Sequence, residues 1–177
     1  MTCIVALKHE GRIYMGADSA GVGGLSLRVR SDPKIYQVGE FLIGFTSSFR
    51  MGQLLGHKLS VTKQHPETED YTFMCTTFIE AVRSTLKDGG YAYKKDEQEL
   101  AGTFICGYKG NLYQIESDYQ VGTFAVDYTA CGCGEDIALG SLFSTEGDHP
   151  EDRIRTALSA AEMFSAGVRA PFLIKTM

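Results

Sequence analysis

Thr2 becomes the first residue once the initiator methionine is removed, and a threonine with a free α-amine carries its own base. That amine has a pKa of roughly 7.7–8.0, so an appreciable fraction is neutral near pH 7 and can take the hydroxyl proton. Two charged residues follow at equal intervals of 16. Asp18 ends the apolar stretch Tyr14-Met15-Gly16-Ala17, and Lys34 opens the run Ile35-Tyr36-Gln37-Val38. An ammonium beside the threonine oxygen would favour the alkoxide formed during attack, and a carboxylate beside that ammonium would keep it charged and aimed. Taken singly, an Asp after a strand is commonly a turn former and a Lys at a strand start is commonly solvated. The argument therefore rests on the three together.

Thr2-Cys3-Ile4-Val5-Ala6, Gly16-Ala17-Asp18-Ser19 and Asp32-Pro33-Lys34-Ile35 resemble the first third of a proteasome β subunit or of the bacterial HslV peptidase. The likeness is sharp over residues 2–36 and looser beyond. Gly44-Phe45-Thr46-Ser47-Ser48 falls where that family has a Gly-rich turn whose backbone N–H completes an oxyanion hole; Ser47 or Ser48 takes the place here, without glycine's ease of positive φ. Ala130-Cys131-Gly132-Cys133-Gly134 resembles the family's Gly-Ser-Gly turn before a helix, with the weaker hydrogen-bonding thiol of Cys133 in place of the hydroxyl. Glu162-Met163-Phe164-Ser165-Ala166-Gly167 resembles its Asp-x-x-Ser-Gly segment. On a helix, Glu162 and Ser165 share a face and would approach the terminal amine together. Alone, that segment reads equally well as a solvated Glu and a helix-terminal Ser.

The resemblance implies a threonine-type endopeptidase. Thr2 attacks a peptide carbonyl to form an acyl-enzyme that water then releases; Lys34 stabilises the nucleophile, Asp18 orients Lys34, and Glu162 with Ser165 positions the amine. It also implies a homo-oligomeric ring with its sites in an inner chamber, peptides or unfolded proteins as substrate, and a separate ATP-dependent unfoldase as a partner. Two rivals stay open: a non-catalytic ring or scaffold that keeps Met1, and an N-terminal-nucleophile amidase acting on small molecules.

The remaining composition narrows the class. At 177 residues with 44% hydrophobic content, the chain suits one domain over residues 1–177 rather than two. A net charge of −5 and the lack of any Lys/Arg run argue against a nucleic-acid surface. No stretch approaches the roughly 18 apolar residues of a membrane span, and no basic-then-apolar leader opens the chain, so a cytoplasmic location is expected. The cysteines Cys3, Cys75, Cys106, Cys131 and Cys133 show no disulfide framework. Cys131-x-Cys133 lacks a second Cys/His cluster, so core or turn thiols are favoured over a metal or redox pair. His9, His57, His65 and His149 are scattered without ligand spacing, and no Walker-type phosphate loop is present. No cofactor or metal is expected.

Patterning supplies the elements that must position these residues. Segments 3–8 and 12–18 flank His9-Glu10-Gly11, and segments 34–38 and 41–45 flank Gly39-Glu40, which predicts two successive hairpins. Residues 49–63 lose the strand pattern, and Met74, Phe78, Ala81, Val82 and Leu86 recur at helical spacing, placing two helices on one sheet face. Segments 103–108, 112–115, 121–126 and 128–131 read as strands of a second sheet. Helices are predicted over 135–144 and from Pro150 onward, then a last strand over 171–175. Gly21-Val22-Gly23-Gly24 reads as a mobile loop lining a substrate path or as an ordinary connection. Strand blocks alternating with helix pairs give an α+β fold of two packed antiparallel sheets with helices on both outer sides. The family resemblance implies the same four-layer αββα sandwich, the Ntn-hydrolase fold.

Overall fold

Short left-handed turns start both sheets. The computed structural model describes all residues, Met1–Met177. Glu10 and Gly11, with φ of 49° and 75°, join β1 (Cys3–His9) to β2 (Arg12–Ala17). Positive φ at both central residues matches the right-handed twist of flanking strands. Gly39, at φ 57°, turns β5 (Ile35–Val38) into β6 (Phe41–Phe45), and Lys109-Gly110, at 46° and 76°, turns β9 (Phe104–Tyr108) into β10 (Asn111–Ile115).

Residues 20–29, expected as a connection around Gly21–Gly24, form instead an antiparallel hairpin of β3 (Ala20–Gly23) and β4 (Ser26–Val29). Gly24, at φ 57°, supplies its turn. A second unforeseen hairpin joins β7 (Tyr93–Lys95) to β8 (Gln98–Leu100) through Asp96 and Glu97, both at positive φ; Glu in the second turn position hides the usual Asp-Gly signal.

The helices fall in the expected segments. After α1 (Phe49–Lys58), the predicted segment around 71–87 is α2 (Asp70–Phe73), a wider π turn over Met74–Phe78 and α3 (Ile79–Asp88). Between the remaining strands β11 (Val121–Gly122), β12 (Tyr128–Gly132) and β13 (Leu173–Thr176) lie α4 (Glu135–Ser144) and α5 (Pro150–Phe164). Pro150 occupies the first turn of α5, where its missing N–H costs nothing.

Strand membership corrects the expectation for 103–131. One sheet runs β12-β1-β2-β13 and the other β11-β10-β9-β6-β5. The segment 128–132 thus pairs with β1, and the 35–45 hairpin shares a sheet with 104–122. The physical reason lies in β1 and β6, whose apolar residues are buried on both faces. Strands of that kind are stable with both edges paired, so each recruits a non-local neighbour.

Helices α1 and α3 cover the second sheet over an aromatic core that includes Phe41, Phe45, Phe78 and Phe104. Helices α4 and α5 cover the first sheet, burying Val5, Leu7, Ile154 and Leu158. A third apolar cluster draws on both sheets, with Ile4 and Met15 from the first and Leu42 and Ile105 from the second. No helix is long and apolar enough to cross a membrane.

Candidate active site

Register alone brings three of the predicted residues to one end of the first sheet. Thr2 precedes β1, and Cys3 sits opposite Gly132, so Cys133 lies beside Thr2. Ile4 pairs with Ala17, which sets Asp18 beside Cys3. Gly132 adopts φ 102°, and a Cβ there would strike the Thr2 carbonyl. Only glycine meets both demands, the left-handed backbone and the close approach to the Thr2 main chain.

Lys34 comes from the other sheet, one residue before β5. Its Nζ donates to Asp18 Oδ1 at 2.8 Å, and the two side chains are 1% and 0% exposed. The same Oδ1 accepts the Cys3 N–H at 3.0 Å, so lysine and the residue after Thr2 share one oxygen. Asp18 Oδ2 accepts the N–H groups of Ala20 at 2.7 Å and Arg169 at 3.2 Å. Three backbone donors and an ammonium therefore fix this carboxylate. Burial holds the Lys34 ammonium below the usual lysine range, and Asp18 partly opposes that shift. The Cys3 thiol beside it is pushed far up, first by burial and then by the Asp18 charge, so it stays protonated.

Lys34 also opens the strand whose partner leads into the serine turn. Phe45 N–H donates to the Lys34 carbonyl at 3.1 Å, which brings Thr46-Ser47-Ser48 to the same end. Ser47 adopts φ 62°, the left-handed conformation that glycine takes most easily. Its Oγ accepts the Thr103 N–H at 3.1 Å, a contact that helps to hold the turn. The Ser47 N–H donates to Thr46 Oγ1, and the Ser48 N–H donates to the Thr46 carbonyl at 2.7 Å. Ser48 is then the N-cap of α1, its side chain accepting from Arg50 N–H.

Cys133 Sγ donates to the Thr2 carbonyl at 3.4 Å, and Ser165 Oγ lies 3.4 Å from that sulfur and donates to the Cys133 carbonyl at 3.3 Å. Thr2, Cys133 and Ser165 thus form a chain of contacts. Ser165 is the C-cap of α5 with extended backbone, so the expectation that it shares a helical face with Glu162 fails. Glu162 does not reach Thr2. Its carboxylate accepts the Ala170 N–H at 3.0 Å and lies 3.7 Å from the Arg169 guanidinium. Because Arg169 N–H is one of the donors to Asp18, Glu162 instead holds the strap that completes the Asp18 cradle.

The Thr2 hydroxyl donates to the Met1 carbonyl at 2.6 Å. While Met1 is attached, the Thr2 nitrogen is an amide and has no basicity to offer.

The chain shares its fold with solved structures of BPH, HslV and Anbu. BPH of Thiobacillus denitrificans, in complex with epoxomicin, superposes with a TM-score of 0.80 at 19% identity, covering 99% of this chain and 98% of that one. HslV from Trypanosoma brucei gives 0.70 at 15% identity over 99% and 98% of the two chains. The Anbu (Gly-1) mutant from Hyphomicrobium sp. strain MC1 gives 0.68 at 18%, covering 98% of this chain and 80% of that one. At these identities the likeness is one of fold. Neither a protein-family model nor a curated protein sequence matches the chain.

Two features of the site lay outside sequence reasoning. Arg169 contributes a backbone N–H to Asp18, which no side-chain pattern signals. Phe49, at the start of α1, sets its ring 5.7 Å from Lys34 Nζ and 3.8 Å beneath the Arg30 guanidinium. An aromatic just after the serine turn was the available clue.

Proposed function

We propose that this chain is a threonine-type endopeptidase subunit, an Ntn hydrolase with the four-layer αββα architecture of that class. It acts on peptides or unfolded proteins within a homo-oligomeric ring in the cytoplasm, supplied by a separate ATP-dependent unfoldase. The observation that carries this reading is the buried Lys34–Asp18 pair, which holds the N–H of Cys3, the residue that follows Thr2. A buried ion pair adds little net stability over apolar residues of the same volume, because desolvation offsets the attraction. A charge kept there at such cost is put to use by a neighbouring group whose own charge changes, and the Thr2 hydroxyl is that group.

The reaction begins with loss of Met1. The freed α-amine of Thr2 takes the hydroxyl proton and Oγ attacks the carbonyl, with the Lys34 ammonium favouring the developing alkoxide; the peptide C–N bond then breaks as the α-ammonium returns that proton to the leaving amine, and water hydrolyses the resulting ester. Between the two serine donors, Ser47 is the better oxyanion group. Its N–H is held only by the Thr46 hydroxyl, which a side-chain rotation removes, whereas Ser48 N–H is committed to a backbone carbonyl. Cys133 and Ser165 fix the Thr2 main chain through the contacts described above. Support also comes from the shared fold with HslV, one of the proteins that the N-terminal third resembles in sequence, and with BPH, whose structure holds epoxomicin.

The experiment is intact-mass measurement before and after incubation with epoxomicin. Loss of Met1 with a single adduct, abolished by Thr2→Ala, is the expected result. The rival reading is a non-catalytic ring or scaffold that keeps Met1, in which the Thr2 nitrogen stays an amide. A chain that keeps Met1 and stays unmodified overturns the peptidase reading in favour of that scaffold.

A further inference from the structure

The β3–β4 hairpin carries a groove of about 390 Å³ that ends on Phe49. Phe49 is the ring that Lys34 Nζ approaches, so the groove adjoins the site. Gly21 and Gly23 pair across the hairpin with Arg28 and Ser26. With glycine at both positions, Val22 is the one residue of β3 in the lining that carries a side chain. At Gly21 that space is needed: an added Cβ would stand 2.6 Å from Arg30 Cδ.

Two guanidinium groups line this groove, and they are not equivalent. Arg30 is matched by Asp32 through two hydrogen bonds of 2.7 Å each and lies over the Phe49 ring. Arg28 is exposed and forms neither an ion pair nor a side-chain hydrogen bond. It is an unmatched positive charge beside the site of a chain whose net charge is −5.

We infer that this groove is a subsite for an acidic side chain, Asp or Glu, of the peptide substrate. This deepens the reading of the site as a peptidase and rests on it. A carboxylate matches the planar fork of a guanidinium with two parallel hydrogen bonds, a geometry that an amide or an ammonium cannot reproduce. The fixed Arg30–Asp32 pair over Phe49 forms the wall, and Arg28 supplies the free charge.

The test uses chain lacking Met1 and fluorogenic tetrapeptide amides with Glu, Gln or Lys at each position in turn. Glu should be preferred over Gln by about tenfold in kcat/KM at one position, carried mainly by KM and weakened by salt. Arg28→Ala should remove that preference, and Arg28→Glu should turn it towards Lys. A merely structural role for Arg28 would lower all substrates alike. Equal cleavage of Glu and Gln peptides overturns the subsite and leaves the peptidase reading standing. In parallel, fluorescence anisotropy with labelled Glu and Gln peptides on the Thr2→Ala variant reads the groove without catalysis. Arg28-dependent selectivity for Glu there, with no cleavage by the native chain, would sink the peptidase reading and keep the acidic groove. No selectivity in that assay overturns the subsite.

Discussion

The second sheet and the mouth of the first are built on opposite terms. Beneath α1 and α3 the buried side chains are aromatic and aliphatic, with Phe41 stacked on Tyr108 at 4.6 Å and tilted on Phe78 at 4.9 Å. At the N-terminal end of β1 they are polar. The buried polar or charged residues of the whole chain are Thr2, Asp18, Lys34 and Thr129, and all but the last belong to the candidate site. The contrast separates two tasks: one region supplies the free energy of folding, and the other spends part of it on holding a charge out of water.

The sharpest way to break that comparison is to injure each region equally. Phe78→Ala removes a fully buried ring and should cost about 3–5 kcal/mol. Lys34→Met strands the Asp18 carboxylate and should also cost about 3–5 kcal/mol. Urea denaturation should rank them together. Epoxomicin labelling of the folded fraction should survive in the first variant and vanish in the second; equal loss of labelling in both would dissolve the distinction.

Alkaline pH offers a smaller, graded test. Burial raises the thiols of Cys3, Cys106 and Cys131 above the ordinary value of 9.0, and raises Tyr113 to about 12. Above pH 9 the unfolded chain loses those thiol protons while the folded chain keeps them, so stability falls as pH climbs. Lys34 works the other way. Its folded value is depressed, so the unfolded chain holds the extra proton between that value and 10.5, and stability rises with pH there. Three thiols outweigh one lysine, and each full proton of difference is worth about 1.4 kcal/mol per pH unit. Urea midpoints should therefore drop between pH 9 and 10. Lys34→Met should steepen the fall, since it deletes the opposing contribution.

The gentlest change is Cys133→Ser. A hydroxyl is a stronger donor to the Thr2 carbonyl than a thiol, so a gain of about 0.5 kcal/mol is expected from urea midpoints, with somewhat faster labelling. A loss on both counts would show that the sulfur's size, rather than its donor strength, suits this turn.

What could be read ahead of the structure divides along the same line. Turns governed by local backbone rules, such as Glu10-Gly11 and Gly39-Glu40, were legible, and so were α4, read as a helix after Gly134, and α5, through its opening Pro150 and its apolar stripe. The spacing of Asp18 and Lys34 pointed to a partnership, and their side chains meet at 2.8 Å. Partnerships set by register across the chain were hidden. Nothing local in Tyr128–Gly132 says that it must lie against β1, and nothing in Glu162 says that its carboxylate will spend itself on Ala170 rather than reach Thr2. For Ser165 the helix-terminal alternative holds over the shared face, because a helix end is decided by capping and packing, which the spacing of two residues does not encode.

The cradle around Asp18 sets an order of events for the chain as it is made. One of its donors, Arg169, lies 151 residues further along. A nascent polypeptide that has emerged only as far as α4 can form β1 against β2, yet it lacks one of the four donors to that carboxylate. The full set of contacts on this carboxylate therefore closes only when the segment after α5 is laid down, so the last part of the chain to be synthesised completes the surroundings of one of the first.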